Sequence, residues 1–110
     1  MYKSQVNSII GEGCESRGEF NFSGSLRIDG KFEGNIIVDG KILIGQSGVA
    51  FSDIHAEEIT IGGTVFGNIY AKNKVVLLKT AYLRGNIYTK RVSAEEGVVF
   101  EGKCNIIREN

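Results

Sequence analysis

Apolar side chains recur along this chain in pairs spaced by two. Leu26/Ile28, Ile42/Ile44, Ile59/Ile61, Val75/Leu77 and Val92/Ala94 form one column, with successive pairs 16, 17, 16 and 17 residues apart. A second column is marked by a triplet. Its copies are Gly18-Glu19-Phe20, Gly34-Asn35-Ile36, the degenerate Ser52-Asp53-Ile54, Gly67-Asn68-Ile69, Gly85-Asn86-Ile87 and Gly102-Lys103-Cys104, at steps of 16, 18, 15, 18 and 17. Spacing by two puts alternate side chains on one face of a strand, so Phe32, Gly34, Ile36 and Val38 face one way and Glu33 and Asn35 the other. Helical spacing finds no support.

Two columns holding one period predict a coil. A turn of about 17 residues divides into three sides of five or six, each a short strand and a corner. The chain thus reads as all-β, a parallel β-helix of about six triangular rungs that stack at about 4.8 Å around one apolar column. The rungs fill residues 8–106, with a short tail at 1–7 and another at 107–110. Between columns the chain length is either four residues (Ile28 to Phe32, Ile61 to Val65) or six (Ile44 to Ala50, Leu77 to Leu83, Ala94 to Phe100). An even change preserves the inward face, and the expectation is that length varies at this corner only. Asp29-Gly30 and Asp39-Gly40 would favour hairpins in isolation. A meander, however, has no reason to keep one period in two columns.

The ends of such a coil are its exposed parts. Each presents unpaired strand edges and the bare column, which soluble solenoids usually cover with a cap. The repeat leaves no room for one here. Phe20 and Phe22 are expected inward near the first end, and Phe100, Cys104 and Ile106 at the last. These five residues are the candidate polymer interface.

Composition removes several functions. In 110 residues there are 15 glycines, no proline and no tryptophan, with 13 basic and 13 acidic residues. Zero net charge supplies no basic stripe for nucleic acid and no long-range repulsion between copies. No segment has the apolar length of a membrane span or the form of a signal peptide. Cys14 and Cys104 match no zinc spacing and read as free, partly buried thiols. The one histidine, His55, cannot build a three-histidine zinc site, and its alternation with Ile54 and Ala56 places it on the outer face. There is no phosphate-cradling loop, and Glu57-Glu58 and Glu95-Glu96 read as solvated charge. No catalytic residue, metal or cofactor is expected. The enzymatic rival is the β-helical hexapeptide-repeat fold of acyltransferases and zinc carbonic anhydrases, whose strict period near 18 this chain lacks. Another rival is a carbohydrate- or wall-binding module. It would need outward aromatic rows, and the outward aromatics expected here are two, Phe51 and Phe66.

The run Leu26-Arg27-Ile28-Asp29-Gly30-Lys31-Phe32-Glu33-Gly34-Asn35-Ile36 resembles the bactofilins. So do Ile42-Leu43-Ile44-Gly45 and the closing Glu95-Glu96-Gly97-Val98-Val99-Phe100-Glu101-Gly102-Lys103-Cys104. The resemblance covers nearly the whole chain. It implies a right-handed coil, nucleotide-independent homopolymers, and scaffold roles in cell shape, positioning or motility in the bacterial cytoplasm. It also implies a membrane contact through Met1, Tyr2 and Lys3, which resemble the short leader that touches the inner membrane in many members. The chain departs from the family pattern in its short, proline-free tails.

Overall fold

The computed structural model describes residues 6–108; of Val6, Asn7 and Phe22 it describes the backbone alone. The described residues form twelve strands, all paired in parallel. They are β1 (Val6–Ile10), β2 (Glu15–Ile28), β3 (Lys31–Asp39), β4 (Lys41–Ile44), β5 (Val49–Ile61), β6 (Thr64–Phe66), β7 (Ile69–Leu77), β8 (Tyr82–Arg84), β9 (Ile87–Thr89), β10 (Arg91–Ala94), β11 (Val99–Glu101) and β12 (Cys104–Ile106). Each turn lies on the one before it, giving a β-solenoid of about six turns.

Three faces result. The first carries the inward row Phe32, Ala50, Val65 and Leu83, continued by Phe100. The second carries Phe20, Ile36, Ile54, Ile69, Ile87 and Cys104 in one row. The third carries the pairs Leu26/Ile28 through Val92/Ala94 in the expected register. Phe32, Ile28, Ile36, Ile44, Ile54, Ile59, Ile61, Ile69 and Ile87 are fully buried, so the core is a stack of mostly β-branched side chains. Asp29 and Gly30 close no hairpin. Both their N–H groups donate to Ile10 O, at 2.7 and 3.1 Å, across one turn.

Glycine is required where the triplet bends the chain between the first and second faces. Gly85 adopts φ +151°, and a Cβ there would lie 1.9 Å from Gly67 O. Ser52 occupies the same column without positive φ, since no non-glycine residue among those described has it.

Two expectations are corrected. The corner between the second and third faces also changes length, by one residue: the register shifts between Ala56 and Glu58, where β7 accommodates one more residue than β5. The inward face survives because the extra residue bulges outward at the corner, where no ladder bond fixes it. The cysteines are exposed, not partly buried. Cys14 lies in the turn its N–H closes onto Gly11 O at 3.0 Å, beside the first turn, and Cys104 lies in the last strand. Among the described residues no outer turn covers either.

Candidate functional site

The two ends differ from the body of the coil in one physical respect. In the body every strand pairs on both sides. At the last turn β10, β11 and β12 pair only inward, with β7, β8 and β9. At the first, β1 and the Glu15–Ser23 stretch of β2 have, among the described residues, strand neighbours on one side only. The outer edges keep N–H and C=O groups that another strand could pair.

The apolar column reaches both edges. Phe20 is half-buried, its ring 4.9 Å from that of Phe32. Phe100, Val92 and Val98 pack partly against the core. Cys104 and Ile106 continue the inward rows of Ile87 and Thr89, yet Cys104 is exposed and Ile106 is 49% exposed. Among the described residues no element crosses either end. The structure thus gathers Phe100, Cys104 and Ile106 on one end and sets Phe20 on the other. The side chain of Phe22 and all of Met1, Tyr2 and Lys3 lie outside the described residues.

The outer surface holds a feature the sequence reading missed. His55, Tyr70 and Tyr88 occupy one outward row of the second face. Their rings stack face to face, at 4.4 Å and 6° for His55–Tyr70 and at 5.0 Å and 5° for Tyr70–Tyr88. On the first face Phe51 stacks on Phe66 at 5.0 Å, with Tyr82 tilted beyond it. The outward aromatics are therefore more than two. The signal was present, since the residue after each of the four middle triplets reads Ile37, His55, Tyr70, Tyr88. Even so, a sugar platform needs open ring faces, and here the faces are spent on one another. Tyr82 donates to the Glu101 carboxylate, which raises its phenol pKa above 10.0 through that hydrogen bond, with partial burial and the Glu101 charge adding to it. Among the described residues no three His, Cys, Asp or Glu side chains converge as metal ligands, and no helix is long and apolar enough to cross a membrane.

The geometry matches known proteins over nearly its full length. The bactofilin family model, described as polymer-forming cytoskeletal, matches residues 8–105. Bactofilin BacO of Myxococcus xanthus (strain DK1622) is 31% identical over 101 residues, spanning 92% of this chain and 80% of that protein. Bactofilin BacP of the same organism is 25% identical over 100 residues, spanning 91% of this chain but 42% of that protein. The structure of the cytoskeletal bactofilin BacA, determined by solid-state NMR, superposes with a TM-score of 0.82 at 28% identity, covering 96% of this chain and 100% of that one. On its sequence, its parallel coil and these matches, the chain belongs to the bactofilin family.

Proposed function

We propose that this chain assembles end to end into filaments without nucleotide, and serves as a scaffold for cell shape, positioning or motility. As a bactofilin it is a cytoskeletal scaffold protein and not an enzyme. One observation carries the finer reading. Among the described residues, the last turn leaves its three strands unpaired on the outer side while its inward residues Cys104 and Ile106 stay exposed.

Stacking a second chain there continues the strand ladder and covers the column in one step. Each backbone hydrogen bond formed is worth about 0.5–1.5 kcal/mol net. Covering a large apolar side chain adds roughly 1.5–3 kcal/mol at full burial. Neither term needs a phosphate or a metal ion. The free energy is available from the ends as they stand.

Sedimentation tests this. Protein freed of nucleotide and treated with EDTA is expected to pellet as fully as protein given ATP or GTP with magnesium. A pellet that appears only with nucleotide or metal would overturn the reading.

A further inference from the structure

The two ends of the coil differ in what adjoins them. At the last turn the chain leaves β12 through Ile107, whose N–H donates to Thr89 O at 2.7 Å and so stays on the ladder of the turn beneath. At the first turn β1 starts at Val6, opposite Gly24, with Asn7 opposite Ser25 and Ser8 opposite Leu26. Immediately before Gly24, the Glu15–Ser23 stretch of β2 has, among the described residues, no strand on its outer side. The chain that precedes Val6 is therefore led to the same edge that a second copy would need.

The register of β1, counted back from Val6, sets Gln5 opposite Ser23, Lys3 opposite Asn21 and Tyr2 opposite Phe20. Residues 2–5 span this stretch in strand geometry, at about 3.3 Å each. Side chains alternate along a strand, so Tyr2 falls on the inward side with Phe20 and Lys3 on the outward side with the exposed Asn21. Each suits its side, an aromatic ring over the half-buried ring of Phe20 and a charge in water. The backbone fits as well. On the second face the amides of Ile54, Ile69 and Ile87 donate to the following turn. Successive amides of a strand point to opposite sides, so that of Asn21 points to the outer edge, where a strand of residues 2–5 can accept from it.

We infer that residues 2–5 form a detachable strand on this edge, a cap that the next copy must displace before it stacks on the first turn. The inference rests on the end-to-end reading above and names how that contact is restrained. The cap is weak. It makes few ladder bonds, its other inward residue is the small, polar Ser4, and ordering each residue costs free energy comparable to the bond it gains. Weakness suits a segment that must give way, because an arriving copy brings three strands and an apolar column against four residues. With the cap open about one-tenth of the time, the concentration needed for assembly rises about tenfold.

The chain has no tryptophan, so Tyr2→Trp introduces a single reporter. Below the concentration at which wild type pellets, this indole is expected to be shielded from acrylamide quenching. On assembly it is expected to become accessible, as the cap is displaced. An indole accessible throughout, or one that becomes shielded only on assembly, overturns the cap. In sedimentation, a variant lacking residues 2–5 is expected to assemble at a concentration roughly two- to tenfold below that of wild type. Lys3→Glu, on the outward side, is expected to assemble at the wild-type concentration. An equal or higher threshold in the deletion, or a lowered one in Lys3→Glu, overturns the cap and leaves the end-to-end reading standing. Should circular dichroism show that the deletion unfolds the coil, Tyr2→Asp replaces it and is expected to lower the threshold as well. Folded protein that stays single with and without residues 2–5 overturns the end-to-end reading and this inference with it.

Discussion

The backbone N–H of Asn86 donates to Oδ1 of Asn68, 3.0 Å away across one turn of the coil. The same bond recurs from Asn68 N–H to Asp53 Oδ1 at 2.9 Å and from Lys103 N–H to Asn86 Oδ1 at 3.1 Å. These residues follow the triplet glycine, in the gaps between β6 and β7, β8 and β9, and β11 and β12. There the side chain supplies an acceptor that a continuous strand would have drawn from the backbone. Asn68→Ala is expected to lose about 1–2 kcal/mol of stability, because the partly buried Asn86 N–H is left unpaired. Asn68→Asp keeps the acceptor, as Asp53 does naturally, and should lose much less in the same urea titration.

Gly85→Ala is expected to cost about 3 kcal/mol or more, combining an unfavourable φ with a Cβ driven into Gly67 O. Thermal unfolding followed by circular dichroism reads this directly. Wild-type stability in the variant would mean that the corner can bend without glycine.

Thr89 is fully buried in the inward row, and its Oγ1 has no hydrogen-bond partner. Thr89→Val keeps the branched shape and removes the unsatisfied hydroxyl. It should stabilise the fold by about 1 kcal/mol. Equal or lower stability would show that the hydroxyl has a partner in solution.

The raised pKa of Tyr82 has a definite sign. A folded-state value above the unfolded 10.0 favours the protonated phenol in the fold. That contribution is fully present below pH 10.0 and is lost as pH rises through the folded value. Absorbance titration of wild type minus Tyr82→Phe is expected to show ionisation above 10.0, and Glu101→Gln should bring the transition down. An unchanged transition in Glu101→Gln would remove the hydrogen bond as its cause.

The inward rows were legible because a period of two is imposed by the strand itself, so Leu26/Ile28 and Ile42/Ile44 could be aligned without a structure. The single-residue change near Ala56 was legible too, in the difference between the 18-residue step from Gly34 to Ser52 and the 17-residue step from Ile42 to Ile59, but a corner residue faces neither core nor ladder and carries no apolar signature of its own. The Tyr70–Tyr88 stack was legible in principle, as an outward column one residue beyond the triplet. Outward positions, though, tolerate any polarity and are easily passed over. The exposure of Cys104 depends on what lies beyond the last turn, which the repeat pattern does not encode.

The claim on which the account turns is that the bare last turn is a joining surface. Ile106 probes it more cleanly than Phe100, whose ring already packs against the core of its own chain. Negative-stain electron microscopy of nucleotide-free wild type and of Cys104→Arg/Ile106→Arg, each with its β-structure confirmed by circular dichroism, is the direct measurement. On this account filaments form from wild type and none from the variant, since arginine at the joining surface would be buried without a partner for its charge. Long filaments from the folded variant would contradict it.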